Sequence, residues 1–240
     1  FPRLDGKSTI GIPVFNMKDF VLDALKSAQA QTFTDLDIIV LDDGSTDGTM
    51  DVVKAYLQEN PDHRVRLMAF DENRGLMEAM NQMAFRAEGT FFTSLAADDT
   101  ISPDLIAKCR AEYAANPWLE MVGTHTDFMD AEGKVLAPDV KHPFTMIRKP
   151  VNGSREEWLQ AFYHGNSYFG VSMYRTTALS EVGGWDKRHG VISDYEMYLR
   201  LLMRDNIRVI EEPLTHTRIH GKNLSLLRPS EVQKLPQLYH

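Results

Sequence analysis

Two pairs of adjacent carboxylates, Asp42-Asp43 and Asp98-Asp99, and a later acid, Asp194, are the residues here whose types and spacing best suit chemistry. Each pair closes an apolar run. Leu36–Leu41 leads into Asp42-Asp43-Gly44-Ser45-Thr46-Asp47-Gly48-Thr49, and Thr90–Leu95 leads through Ala96-Ala97 into Asp98-Asp99. A single Asp-Asp-Gly-Ser is ordinary turn chemistry, a solvated loop closed by Asx hydrogen bonds. Two such pairs at the ends of buried strands point instead to the carboxyl edge of a sheet, where open α/β folds hold ligands. Carboxylates there can bind a divalent cation together with phosphate oxygens and water. They can also accept hydrogen bonds from ribose hydroxyls or a base N–H. Gathered acids would repel a diphosphate unless a cation joined them, so a metal makes chemical sense of the pairs. Asp194 opens a helical segment, where an acid is favoured by the dipole or serves as a proton acceptor.

The elements that must position these acids alternate. Ser8–Asn16 reads as a first strand, with Pro13 near its end, so either the strand ends there or the ladder needs no amide. Lys18–Gln31 carries apolar residues at helical spacing, Leu36–Leu41 is apolar on both faces like a central parallel strand, and helical periodicity resumes from Met50 until Asn60-Pro61. Arg64–Ala69 is a third strand and Leu76–Arg86 a helix, with Gly89 expected as its C′ residue. Met77, Met80 and Met83 lie at helical spacing and read as core filler. Thr90–Leu95 is the fourth strand. Ser102 and Pro103 read as the N-cap and first residue of a helix to Ala115. A strand at Met121–Phe128 and a turn at 130–133 with a short return strand follow. Residues 137–155, with Pro138, Pro143 and Pro150, form a long excursion of the kind that serves as a lid or is disordered. Beyond it come a short helix at Glu156–Phe162, a strand at Ser167–Tyr174, a helix at Thr176–Val182, a helix capped by Ser193, and two late strands at Ile207–Ile210 and Leu214–Ile219. This alternation implies a mostly parallel sheet flanked by helices.

With 240 residues, 43% hydrophobic and 25% charged, the chain has the composition of an ordinary soluble globular protein. A net charge of −8 argues against general nucleic-acid binding. The single cysteine, Cys109, excludes an intrachain disulfide and a cysteine-based metal site. No P-loop and no Gly-x-Gly-x-x-Gly follows the first strand, which counts against P-loop and dinucleotide enzymes. Phe1–Asp5 has neither signal-peptide character nor an initiator Met, so the expectation is a piece of a longer protein whose membrane anchor or partner domain lies elsewhere.

Several blocks, in order, resemble inverting family 2 glycosyltransferases of the GT-A fold: Ile12-Pro13-Val14-Phe15-Asn16, Gln29–Phe33, Ile39–Thr49, Asn73-Arg74-Gly75, Ala87-Glu88-Gly89, Leu95–Asp99 with Ser102-Pro103, Val182–Asp186, Ser193–Glu196 and Arg218–Ser225. The resemblance spans roughly residues 8 to 227. It implies an α/β fold of GT-A type, with a Rossmann-like mixed, mostly parallel sheet. The single domain would divide into a nucleotide-sugar-binding half (about 8–100), an acceptor-binding half (about 101–227) and a tail (228–240). It also implies transfer of a sugar from a nucleotide-sugar donor, a UDP-sugar by preference, to a hydroxyl of a glycan, a lipid-linked glycan or another acceptor. The expected setting is cytoplasmic, at the inner face of a membrane.

Carried over residue by residue, the resemblance puts Pro13, Phe15 and Asn16 around the nucleoside, with Asp43 accepting from the base and Asp42 supporting the loop. Arg74 and Asp98 would face the ribose, diphosphate or sugar. Asp99, with His220 or the competing His216, would hold Mn2+ or Mg2+, and Asp194 would be the general base. Trp185 would form either a sugar-facing wall or part of the core. Two departures stand out: Ala96 occupies the place of a further acid, and Ser193 stands where a Glu often precedes the base. The rival functions are a nucleotidyltransferase, which also gathers acids at a sheet edge, and a sugar- or nucleotide-binding module of the same fold that has lost its chemistry.

Overall fold

Strand order follows from where the apolar runs can be buried. The computed structural model describes residues 4–136, 154–163, 170–204, 206–221 and 223. In it β1 (Ser8–Val14), β2 (Leu36–Asp42), β3 (Val65–Ala69) and β4 (Phe91–Ser94) form a parallel group in the order β3-β2-β1-β4. The sheet continues through β7 (Met173–Arg175), β6 (Met121–Met129), β8 (Ile207–Arg218) and β5 (Thr100–Ile101). β6 and β8 run parallel, while β4/β7, β6/β7 and β5/β8 are antiparallel. The sheet is mixed and mostly parallel, as expected of a GT-A type fold.

Every residue of β1 and β2 is buried, because helices cover both faces. On one face, α1 (Val21–Gln29), α2 (Thr49–Glu59) and α4 (Leu105–Ala115) pack Leu25, Val53, Ile106 and Tyr113 against Ile10, Ile12, Ile38 and Val40. On the other, α3 (Leu76–Phe85), α6 (Thr176–Val182) and α7 (Ser193–Leu202) bring Met77, Met80, Met83, Leu179 and Leu201 onto Ile39, Leu41 and Phe92. The three methionines are core, as read.

Several local expectations need correction. Ser102 does not cap α4: it still pairs with β8 (N–H to Leu214 O, 2.9 Å), and Asp104 takes the N-cap position. Gly89 is not a helix C′ residue, since α3 stops at Phe85. A Cβ at Gly89 would lie 2.5 Å from Lys7 O, so glycine there permits close approach to β1. Ser193 lies inside α7 and donates from Oγ to Asp186 O (3.0 Å), tying the helix to the preceding 3₁₀ turn Lys187–Ile192. The short helix α5 begins at Arg155 (Arg155–Tyr163) because Ser154 and Glu157 form a reciprocal capping box. The two late strands are one strand, β8. Glu211-Glu212-Pro213 interrupts its apolar pattern, and register shifts opposite His125 absorb the proline. A return strand after the 130–133 turn is reduced to a bridge between Met129 and Val135. The excursion at 137–155, the start of the strand proposed at 167 and the tail at 228–240 lie largely or wholly outside the described residues.

Candidate active site at the carboxyl edge of the sheet

β1 lies between β2 and β4, and all three run in one direction, so their carboxyl ends are neighbours. The chain leaves β1 towards β2 and later returns to the far side of β1 as β4. Such a reversal of strand order opens a crevice at the strand ends. The polar residues after β1, the Asp42-Asp43 turn and the Asp98-Asp99 pair therefore converge on one edge.

Pro13 is tolerated because its missing N–H would face β4, whose pairing with β1 has already ended at Gly11. Asn16 adopts a left-handed conformation (φ 54°), which asparagine tolerates. Its N–H donates to Ser45 Oγ (2.9 Å), and its Oδ1 accepts from the Thr46 N–H (2.9 Å). The end of β1 and the acidic turn are thus one unit. Phe15 is half-buried beside it.

Asp42 is buried and closes the turn through Ser45 N–H to Oδ1 (3.1 Å). Asp43, 3% exposed, accepts from the N–H of Arg74 (2.6 Å) and of Gly75 (2.9 Å). It therefore clamps the 71–75 loop. Burial raises its carboxyl pKa, with the Asp42 charge adding to the rise, while the two N–H donors and Arg74 pull it back. Arg74 is exposed, stacked on Phe70 (4.7 Å), and carries no ion pair among the described residues.

At the other corner, His220 Nε2 lies 3.0 Å from Asp98 Oδ2, and the Asn223 amide donates to the same oxygen (3.3 Å). Phe20 stacks on the His220 ring at 4.6 Å. Asp99 accepts the Arg218 N–H on Oδ1 (2.9 Å). Enclosure pushes the Asp99 carboxyl well above the ordinary range, and the neighbouring Asp98 charge pushes it further; Arg218 and the Thr217 hydroxyl oppose the rise. His216 instead shares a contact with Ser102 Oγ (3.2 Å), so the histidine brought to the acid pair is His220.

Asp194, in the first turn of α7, is half-buried, and its Oδ1 accepts from Trp185 Nε1–H at 2.6 Å. Enclosure raises its pKa; the indole N–H lowers it. Trp185 itself is 2% exposed, with Phe92 and Tyr174 edge-on to its ring (6.2 and 5.7 Å). This burial gives Trp185 the core position, not that of a sugar-facing wall.

The glycosyl transferase family 2 model matches residues 9–183. The chain belongs to that family. This family 2 domain is 28% identical to a chondroitin synthase of Escherichia coli over 94% of its own length and 31% of the relative's. It is 27% identical to a hyaluronan synthase of Pasteurella multocida over 91% of its length and 21% of the relative's. It thus spans about a third or less of these relatives. Among solved structures, S. aureus TarS in complex with UDP-GlcNAc superposes with a TM-score of 0.73 at 16% identity, covering 92% of this chain and 61% of that one. A Pyrobaculum calidifontis mannosyltransferase in complex with GDP-Man and Mn2+ gives 0.66 at 18% identity, covering 93% and 60%. These likenesses establish the fold.

The metal that such folds imply can be tested against the donors present. Among the described residues no group of three or more acidic, imidazole or thiol side chains is placed to hold a metal ion. The crowded pair Asp98-Asp99, beside one imidazole, instead suits a hard cation whose remaining ligands are phosphate and water. Asp194 and His220 lie beyond the matched residues 9–183, so their assignment rests on geometry and on the resemblance of the later blocks.

Sequence reasoning missed the supporting residues of this family 2 domain. Arg218 is buried behind the acid pair, donating from Nε to Asp98 O, from Nη1 to Ala131 O and from Nη2 to Asp23 (2.8 Å each). Asn81 holds the Trp185 main chain at both its N–H and C=O (2.8 and 2.7 Å). An arginine closing the late strand was a signal for the first. Nothing local marked the second, whose partner is 104 residues away.

Proposed function

We propose that this domain transfers a sugar from a UDP-sugar to an acceptor hydroxyl with inversion at the anomeric carbon, in the assembly of a surface polysaccharide or similar glycan. The observation that carries this is the convergence of three adjacent strand ends, bearing Pro13–Asn16, Asp42-Asp43 and Asp98-Asp99, on one crevice. The residue 8–100 half binds the donor: Pro13, Phe15 and Asn16 line the nucleoside, Asp43 accepts from the base, and Arg74 reaches the diphosphate or sugar. Asp98, against which His220 lies, faces the ribose and diphosphate, and Asp99 and His220 would hold Mn2+ or Mg2+. When bound, the cation offsets the charge of the departing nucleoside diphosphate.

In the 101–227 half, Asp194 takes the acceptor hydroxyl's proton while the acceptor oxygen bonds to the anomeric carbon and the anomeric carbon–phosphate oxygen bond breaks. One base suffices because the nucleoside diphosphate is a good leaving group. Enclosure raises the Asp194 carboxyl pKa, and a raised pKa strengthens a base. The named activities of the chondroitin and hyaluronan synthases and the UDP-GlcNAc complex of TarS support the donor and glycan classes. The proposed setting is the cytoplasmic side of a membrane, where a lipid-linked or growing glycan would meet the donor. Among the described residues no helix is long and apolar enough to cross a membrane.

The test is a panel of UDP-sugars with glycan acceptors, with and without Mn2+. Asp194→Asn is expected to abolish transfer while UDP binding, read by calorimetry, stays unchanged. Transfer by that variant at the parent rate would overturn the assignment of the base.

A further inference from the structure

We propose that Trp185 is the positioning residue of the catalytic carboxylate, its indole N–H fixing Asp194 Oδ1 so that Oδ2 is left to receive the acceptor proton. This rests on the reading of Asp194 as the base. Among the described residues the indole is the sole hydrogen-bond donor to that carboxylate, at 2.6 Å.

An unusual amount of structure holds the indole in place. The turn before it contains Gly183 and Gly184, both with positive φ (84° and 68°), and a Cβ at Gly184 would overlap Asn81 Oδ1. Asn81, on α3, grips the Trp185 main chain from one side. Arg200, on α7, grips the turn from the other, donating to Gly184 O (2.7 Å) and to Val182 O. Glu196 holds that guanidinium at two points (2.7 Å each). Phe92 and Tyr174 close on the ring edge-on. Backbone and ring are therefore fixed independently, and the one polar atom of the ring points at the carboxylate. The enclosure that raises the Asp194 pKa is partly offset by this donor.

The titratable groups that sense Asp194 are the phenols of Tyr174 on β7 and Tyr198 on α7, both kept neutral by burial. The charges nearby are engaged with one another: Asp186 with Arg188 and His189 in the 3₁₀ turn, Glu196 with Arg200 on α7, and Glu181 on α6 with Arg204. Glu157 on α5 is taken by Ser154.

Trp185→Phe keeps an aromatic ring at the site, gives up the fused second ring with part of its packing, and removes the N–H. The expected result is a roughly 10- to 100-fold loss of kcat, the range spanned by one hydrogen bond to a charged group. KM for the nucleotide sugar should be unchanged, and the acid limb of the kcat–pH profile should move to higher pH because the base has lost the donor that favoured its ionised form. A merely structural tryptophan would leave that limb in place. If Asp194→Asn is inactive while Trp185→Phe keeps the parent kcat and acid limb, the positioning role falls and the base stands. If Asp194→Asn remains active, the base reading itself falls. Should Trp185→Phe not fold, the ¹⁵N-indole resonance of Trp185 in the intact domain decides. It is expected to titrate above the ordinary carboxylate range and to lose that titration in Asp194→Asn; a pH-independent resonance would overturn the proposal.

Discussion

Replacing Arg218 by Met asks whether a buried guanidinium holds the acid corner from behind. Arg218 is 2% exposed, its plane lies over Phe20 (5.1 Å), and it donates to Asp98 O, Ala131 O and the Asp23 carboxylate. Met keeps much of the volume, so the cavity cost is small. Two hydrogen bonds from a charged donor to main-chain carbonyls are lost, at about 1.5–3 kcal/mol each. The ion pair adds at most about 1 kcal/mol, because Asp23 is 51% exposed and regains water when released. Against these losses, Met does not suffer the desolvation that the guanidinium does. The net expectation is about 2–4 kcal/mol of destabilisation, measured by urea unfolding. It corresponds to a fall in Tm of roughly 4–16 °C at the ~2–4 °C per kcal/mol of a domain this size. The Arg218 N–H to Asp99 survives any substitution except proline, so Mn2+-dependent UDP binding should weaken through Asp98, not vanish. Asp23→Asn separates the terms and should cost less than about 1 kcal/mol. A loss below about 1 kcal/mol in Arg218→Met, or an equal loss in Asp23→Asn, would refute the assignment of the energy to the carbonyl bonds.

Three other outcomes follow from the same geometry. In Asp43→Asn the carboxamide cannot accept both the Arg74 and Gly75 N–H groups, so stability should fall by about 2 kcal/mol. Calorimetric UDP affinity should drop at least about tenfold; unchanged affinity would remove Asp43 from the nucleoside site. Gly184→Ala combines a positive φ with overlap on Asn81 and should cost about 1–3 kcal/mol by thermal unfolding, with a fall in kcat as Trp185 shifts. Arg64 holds the Asp62 carboxyl far below the ordinary 3.8, so the pair stabilises the fold above that pH and loses its contribution as the medium is acidified below it. Asp62→Asn should flatten that part of the acid-unfolding curve, and an unaltered curve would count against the pairing.

The placement of the paired acids at strand ends was legible because it is local. A continuously apolar strand followed by paired acids can hardly be placed anywhere but at the end of a central strand, and β2 and β4 both obey. The alternation of elements likewise gave the parallel group. What failed was whatever depended on a distant partner. Ser102 looked like a cap, but β8, more than a hundred residues later, claims its N–H. Gly89 looked like a helix terminator, but Lys7 and Thr9 need the space its side chain would fill. β8 read as two strands because Pro213 and two acids interrupt its pattern, and only its register with β6 shows the bulge that carries the chain through. Trp185 had two equal readings in sequence; burial decided between them.

The same distinction separates how the two ends of the crevice are built. The Asp42-Asp43 corner is made by backbone: Asn16 and Ser45 join one strand end to the next, and Asp43 receives main-chain N–H groups. Asp194, the proposed base, is placed by side chains reaching across the sheet's second face, Asn81 on α3 to the Trp185 main chain and the Trp185 indole to Asp194. α3 follows directly from the 71–75 loop that Asp43 clamps. A rigid helix therefore connects the residues assigned to the nucleoside with the turn that aims the carboxylate. Sub-ångström placement of a base against a reacting carbon is worth orders of magnitude in rate. A short chain of hydrogen bonds through one helix is a physical means of fixing that distance across two halves of a sequence.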